Sequence, residues 1–281
     1  MRDSRRIAGI ALALAACFAL PARAQTGEQP SLIFTISGGV LTGGDLWSIP
    51  RQLAFVEQSA TGDLWDTVSL GRKLRSGFSA TLTATYFQSP HLGYSLEAGF
   101  FGLESKSSCA PVGQFIQTLD NQNAQACNYL RGQKLRGDAV GLLAGLVYRV
   151  TTRGIQPYLR AAAGGAFLGS SYVEAAAPVL VAGGNTSTVY FLADQNHKEL
   201  TWMISLGVGV MLPLAPGYQL RVEGRELIVP LPYPTGPATD TGAVANSSAL
   251  PQPPIALKVV RVPTLMVGLD VVLERRRGRR Y

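Results

Sequence analysis

The sequence predicts an all-β fold, a closed antiparallel eight-stranded transmembrane β-barrel with short periplasmic turns and four long extracellular loops. Three observations predict it. Apolar residues alternate with glycine and small polar residues in eight segments, which is typical of strands whose two faces meet different surroundings. Short and long connections alternate between these segments. A stretch with the features of an export signal precedes the first of them.

The first 24 residues are predicted to be a secretory signal peptide. Met1–Arg6 is basic, Ile7–Leu20 is apolar, and the residues ending at Ala24 match the small-residue pattern before a cleavage site. We therefore expect cleavage between Ala24 and Gln25. The apolar stretch is shorter than the roughly 20 residues of a membrane-spanning helix. A second interpretation stays open, because the residues ending at Cys17 are similar to the lipoprotein box, in which that cysteine is acylated.

Composition excludes several classes of function. Only 15% of the 281 residues are charged, against about 25% in average soluble domains. Of the net charge of +7, residues 1–24 hold +3 and residues 275–281 hold +5, which leaves −1 between them. Nucleic-acid binding needs a basic face on the folded domain, so we expect no nucleic-acid partner. The sequence lacks a phosphate-binding loop and a zinc motif, so no cofactor and no metal are expected.

Each predicted strand has one apolar face. The clearest example places Trp202, Ile204, Leu206 and Val208 opposite Ser205, Gly207 and Gly209. A buried helix would not sort glycine and hydroxyl side chains onto alternate positions. The eight predicted strands are Ser31–Thr42, Phe78–Tyr86, His91–Glu104, Leu135–Val150, Ile155–Ser171, Trp202–Leu212, Tyr218–Leu231 and Val259–Glu274.

The connections predict which end of each strand faces the cell exterior. Tight turns alternate with the long segments 43–74, 105–134, 172–198 and 232–257. Transmembrane barrels have this asymmetry, with short periplasmic turns and longer extracellular loops. Seven prolines in residues 230–254 indicate a solvated proline-rich loop. A soluble β-sandwich is the alternative fold, but it would not collect its long loops at one end.

On these patterns the chain resembles the small eight-stranded outer-membrane barrels, the type seen in the transmembrane domain of outer membrane protein A. The resemblance extends from Ser31 to Glu274. It implies a barrel domain (25–274), which follows the predicted signal peptide (1–24) and precedes a basic C-terminal tail (275–281). It also implies a monomer in the cell outer membrane that contacts outer-membrane lipid and the barrel assembly machinery. The sequence names no extracellular ligand, and Arg275–Arg280 separate the terminal Tyr281 from the last apolar residues.

Two cysteines remain if Cys17 leaves with the signal peptide. Cys109 and Cys127 are 18 residues apart, and two cysteines in an oxidising compartment readily pair. A disulfide closing such a loop stabilises by about 3 kcal/mol in the chain-entropy model. The alternative is a pair of unrelated reduced thiols.

Six charged residues are predicted to point into the barrel. An eight-stranded barrel is just wide enough inside for side chains to fill it. Charges in so narrow a space must pair, because an isolated buried ion costs several kcal/mol. We therefore predict a salt-bridge network that plugs the lumen, with a narrow ion path or gate as the alternative. Its members are Glu97, Arg160, Arg221, Glu223, Arg225 and Asp270.

The predicted function is a structural or surface-interaction role, with no catalytic residues. Two alternatives stay open, a narrow-channel transporter and a lipid-modifying enzyme. The enzyme would use His197 near the outer rim, with Asp194 three residues earlier and Ser170 and Ser171 across the same loop. His91 follows a short turn and is expected on the periplasmic side, away from outer-leaflet lipid.

Overall fold

A computed structural model describes residues 31–59, 62–117, 121–135, 137–181, 184–195, 197, 199–238 and 250–273. The predicted signal peptide, its cleavage site and the arginine-rich tail lie outside these residues. The elements, in chain order, are β1 (Ser31–Leu41), β2 (Asp45–Ser59), β3 (Gly62–Leu74), β4 (Gly77–Phe87), β5 (Leu92–Gly102), β6 (Ser105–Pro111), α1 (Gln122–Gly132), β7 (Lys134–Leu135), β8 (Asp138–Arg149), β9 (Gln156–Leu168), β10 (Ala175–Leu180), β11 (Thr186–Leu192), β12 (Leu200–Ala215), β13 (Tyr218–Pro234) and β14 (Ile255–Leu273).

Eight of the strands close into an antiparallel barrel. Their order is β1-β14-β13-β12-β9-β8-β5-β4, and β4 pairs with β1 to complete the ring. Closure confirms the predicted fold class and all eight predicted strands, whose ends shift by a few residues. The end that carries the long connections is called the outer end below, and the opposite end is called the inner end.

The two faces of the barrel wall have opposite chemistry, as the alternation predicts. Ser37, Thr83 and Ser205 point inward and are buried, whereas Ile36, on the outward face, is 68% exposed. Every barrel strand continues this pattern. The outward apolar residues include Phe34, Leu82, Leu96, Leu142, Leu146, Leu159, Leu206, Val208, Leu265 and Val267.

In the described residues, three of the four predicted loops contain strands or a helix of their own. Strands β2, β3, β6 and β7 form a four-stranded sheet, and β10 pairs with β11. Helix α1 packs against β6 and β10. These elements are called the crown below. No strand or helix was predicted within these long connections, which fold because Leu46, Val68 and Leu70 are buried in one apolar core. That core continues down into the outer half of the barrel.

The prediction of a proline-rich loop from residue 230 was wrong at its start. Pro230, Pro232 and Pro234 lie in β13 and pair with β14. The Thr201 hydroxyl of β12 donates a hydrogen bond to the Pro230 carbonyl at 3.1 Å. In an antiparallel sheet, the backbone nitrogen and carbonyl of one residue point toward the same neighbouring strand. Because the Pro230 carbonyl faces β12, the nitrogens of Pro230, Pro232 and Pro234 face β12 as well. Regular β12–β13 pairing ends at Ile204 and Ile228, and the prolines interrupt no β13–β14 hydrogen bond.

Tight turns join the strands at the inner end. Gly217 lies between β12 and β13 with φ of 82°, a backbone conformation that glycine adopts without steric cost. Among the residues that the structure describes, no helix is long and apolar enough to span a membrane.

Candidate functional site

Four of the six predicted lumen residues form one charged cluster. Arg160 Nη1 lies 2.7 Å from Glu97 Oε2 and 3.6 Å from Glu223 Oε1. Arg225 Nη1 lies 2.9 Å from Glu97 Oε1, and its Nε lies 3.0 Å from Glu223 Oε1. The last contact is electrostatic only, since that N–H does not point at the oxygen. Two arginines thus share two carboxylates in a site closed to solvent.

The other two predicted residues form a second ion pair. Arg221 donates to Asp270 through Nε at 2.9 Å and through Nη2 at 3.1 Å. This fork geometry is the strong bidentate form of an arginine–carboxylate pair. The Thr35 hydroxyl donates to Asp270 Oδ1 at 2.7 Å. All six predicted residues therefore lie inside the barrel and are paired.

Three polar partners of these charges were not singled out from the sequence. Thr35 binds Asp270, Thr83 donates to Glu97 Oε2 at 3.0 Å, and Tyr158 donates to Glu223 Oε2 at 2.6 Å. Tyr158 also lies 5.1 Å from the Arg221 guanidinium. The inward parity of these residues is visible in the sequence, but the identity of their partners depends on strand register. That register is set across strands far apart in the chain.

Apolar layers close the lumen on both sides of the charges. Toward the inner end, Ile33, Phe87, Val147 and Met211 pack with Tyr158. Toward the outer end, the apolar core contains the lumen side chains Phe101, Leu143, Met203 and Leu227. The charged cluster therefore lies between two apolar layers.

A further cation, Arg149, lies at the inner mouth. The Arg149 guanidinium lies 3.6 Å from the Phe87 ring centroid and donates to Gln156 Oε1 at 3.2 Å. His91 lies beside it in an inner turn, with Nδ1 2.8 Å from the Arg149 carbonyl. His91 thus lies at the inner end, as the sequence predicts.

Arg72 joins the sheet of the crown to the segment after β9. Its side chain is buried and donates to the carbonyls of Ser171 and Glu174 and to the Ser107 hydroxyl. Burial lowers the pKa of Arg72 to about 10, although Glu174 and Tyr172 oppose the shift. The guanidinium therefore stays cationic at neutral pH.

Tyr172 provides the second link between the crown and the barrel. Its hydroxyl donates to the carbonyls of Leu103 and Gly137, and its own carbonyl accepts the Trp47 indole N–H at 2.7 Å. Burial raises the pKa of Tyr172, so its hydroxyl remains a donor. The crown is held at the outer mouth by buried polar contacts as well as by its apolar core.

The predicted disulfide joins Cys109 and Cys127. Cys109 lies in β6 and Cys127 lies in α1, so the bond fastens the helix to the sheet of the crown. Both sulfur-bearing residues are buried in the apolar core.

Replacing both cysteines with serine is expected to loosen the crown and leave the barrel folded. The lost cross-link is worth about 3 kcal/mol, and it constrains no barrel strand. Limited proteolysis should cleave the variant between residues 105 and 135 while the heat-modifiable barrel band persists. Alkylation of the wild-type protein without reductant should label neither Cys109 nor Cys127. A labelled wild-type pair, or an unfolded barrel in the variant, contradicts this expectation.

Three residues of the enzyme alternative, Ser171, Asp194 and His197, lie close together. The Ser171 hydroxyl donates to Asp194 Oδ2 at 2.6 Å, and His197 Nδ1 lies 3.7 Å from the same oxygen. The carboxylate thus lies between the serine and the histidine, so the base within hydrogen-bond reach of the Ser171 hydroxyl is Asp194 and not His197. Ser171 Oγ also accepts the N–H groups of Val173 and Glu174. This serine stabilises a turn.

Comparisons with known proteins find alignments with solved structures. No protein-family profile matches the chain, and no curated protein matches it. OprG from Pseudomonas aeruginosa aligns with a TM-score of 0.42 at 12% identity, over 88% of this chain and 98% of that one. Neisserial surface protein A aligns with a TM-score of 0.39 at 12% identity, over 87% and 99%. The outer membrane protein AlkL aligns with a TM-score of 0.35 at 11% identity, over 92% and 97%.

The fold is assigned from the strand pairing of the chain itself. Eight antiparallel strands close on one another, polar side chains between two apolar layers fill the interior, and apolar side chains cover the outside. In architecture, the chain is a small closed eight-stranded β-barrel, as the sequence predicts.

Proposed function

We propose that the protein is an integral outer-membrane barrel with a plugged lumen and a structural or surface-interaction role. The observation that carries the proposal is the contrast between the apolar outer face of the wall and the paired charges inside it. In this proposal residues 1–24 direct export, cleavage follows Ala24, and the mature barrel is a monomer inserted by the barrel assembly machinery.

The outward face supports a membrane location. Monomeric soluble proteins rarely expose large contiguous apolar patches, whereas this barrel carries apolar residues around its whole circumference. The barrel strands have 11 to 19 residues, and a tilted strand crosses a bilayer with about 9–11. Tyr86, Tyr148 and Tyr218 lie near the inner end and Trp202 lies near the outer end, all about half exposed. Aromatic girdles of membrane barrels have this arrangement.

The interior supports a structural role over a conduit. Each lumen carboxylate has an arginine partner, and apolar layers lie on both sides of the charges. An ion crossing the barrel would have to displace these pairs, and breaking a buried pair typically costs about 3–5 kcal/mol.

The crown supports a surface-interaction role. Lys73, Lys106 and Lys134 lie directly opposite one another on neighbouring strands, and all three are exposed. Like charges side by side repel, and only Lys73 has an acidic partner in the described residues, Asp45 at 2.9 Å. This row presents positive charge to anionic groups at the outer end of the barrel.

Amine labelling of intact cells tests the location and the orientation together. All five lysines of the chain lie between residues 73 and 258, in or beside the long connections. A membrane-impermeant amine reagent should therefore label Lys106 and Lys134 in whole cells. The matched control is Arg153→Lys, which places one lysine in an exposed inner turn and should be labelled only after lysis. Labelling of the crown only after lysis, or recovery of the protein outside the outer-membrane fraction, contradicts the proposal.

A further inference from the structure

A cavity of about 430 Å³ lies against the barrel wall at its outer end. It occupies the region where β12 and β13 no longer pair beyond Ile204 and Ile228. The proline nitrogens of β13 face β12 there and offer no donor. This cavity is separate from the charged cluster, because none of the six lumen charges lines it.

The segment before β12 and the segment before β14 border the cavity on the side of the crown. The Ala193 amide donates to the Pro251 carbonyl at 2.7 Å, which joins the segment before β12 to the segment before β14. The Leu168 amide donates to the Glu199 carbonyl at 2.7 Å. The cavity therefore has a fixed hydrogen-bonded frame.

The walls of the cavity are mainly apolar. Pro230, Pro232 and Pro253 form part of the lining, and Leu200 and Leu257 lie at its edge. These two leucines are 60% and 66% exposed. Small-molecule sites of 300–1,000 Å³ are typically lined in this way, with a few polar groups that set orientation. The size and the apolar lining of the cavity suit a small molecule with a compact apolar part.

Among the described residues that line the cavity, Asp194 is the ionisable one. The Asp194 side chain is only 3% exposed, and its Oδ2 accepts the Ser171 hydroxyl at 2.6 Å. An ionised carboxylate has about four lone-pair positions, so Asp194 keeps capacity for further donors. Attraction between charges strengthens where water is excluded, so a carboxylate among prolines and leucines favours a cationic donor.

We infer that this cavity is a binding site for a compact apolar molecule that carries an ammonium group. The apolar body lies against the prolines and Leu257, and the ammonium group donates to Asp194. The site goes beyond the proposed structural role, because it lies outside the lumen and needs no open channel.

Calorimetric titration of the purified barrel in detergent tests the site with two probes of one shape. Adamantan-1-amine supplies the cage and an ammonium group, and adamantane-1-carboxylate supplies the same cage with the opposite charge. We expect the amine to bind at least about tenfold more tightly, the size of effect one charge-assisted contact supplies. Asp194→Asn keeps an acceptor for Ser171 and should remove that preference. Ala256→Phe fills the cavity and should abolish saturable binding.

Matched controls separate the site from general effects of charge and bulk. Asp45→Asn removes an exposed carboxylate elsewhere on the crown, and Ala98→Phe adds the same bulk to the outward face of β5. Both should leave the amine titration unchanged, and heat-modifiability should show that every variant is folded. Absence of saturable amine binding to the wild type, or unchanged binding by Ala256→Phe, overturns the site. Equal affinity for both probes overturns the assignment of the ammonium group to Asp194.

Discussion

Replacing Glu97 with alanine is expected to lower the free energy of unfolding of the barrel by about 3–5 kcal/mol. Glu97 is fully buried and accepts ion-pair contacts from Arg160 and Arg225 and a hydrogen bond from Thr83. Its removal leaves two guanidinium groups in a lumen closed to water, with Glu223 as their remaining carboxylate. Urea unfolding in detergent or lipid vesicles, followed by tryptophan fluorescence, measures the change.

Lys106→Ala is the control for this substitution, because Lys106 is an exposed crown residue and its loss should change stability by less than about 0.5 kcal/mol. Arg221→Ala should resemble Glu97→Ala, since it strands the Asp270 carboxylate. If Glu97→Ala and Arg221→Ala have the same midpoint of urea unfolding as Lys106→Ala, the lumen charges do not stabilise the barrel. If Glu97→Ala is as stable as the wild type and conducts ions, the cluster is a gate.

Arg72→Ala is expected to detach the crown from the outer mouth while the barrel persists. The substitution removes hydrogen bonds to two carbonyls and one hydroxyl in a buried site, and bonds to charged groups contribute about 1.5–3 kcal/mol each. Cleavage of the crown by thermolysin should become at least about tenfold faster, as expected when local opening becomes easier by more than about 1.4 kcal/mol.

Arg51→Ala is the matched control, since Arg51 lies on β2 of the same sheet with its side chain exposed. Its cleavage rate should equal that of the wild type. Thermolysin is preferred to trypsin because the substitution of an arginine does not remove one of its cleavage sites. Equal resistance of Arg72→Ala and the wild type would show that the apolar core alone holds the crown.

The barrel itself was predictable because each wall residue meets one of two very different surroundings. Ile36 points outward, and Ser37 beside it points inward. That requirement repeats every two residues and is visible without knowledge of any contact. The same parity placed Glu97, Arg221 and Asp270 inside the barrel. The pairing of Arg221 with Asp270, rather than with Glu97, depends on register between strands and was not predictable.

The crown escaped prediction for a related reason. Its sheet buries Leu46 and Leu70 on a core that exists only once several long connections meet at the outer mouth. Pro230 and Pro232 indicated a loop because proline rarely occurs within sheets. Their place in β13 depends on the absence of regular pairing with the outer end of β12. The packing and pairing partners of these residues lie far away in the sequence, so no local sequence pattern predicts them.

Single-channel recording in planar lipid bilayers tests the closed lumen most directly. The wild-type protein, inserted and checked by heat-modifiability, should give no discrete current steps at any applied voltage that the bilayer withstands. The expected closure depends on the Arg160–Glu97–Arg225 cluster and on the apolar layers at both of its sides. Reproducible, ion-selective current steps from the wild-type protein would contradict a plugged barrel and establish a conducting path through it.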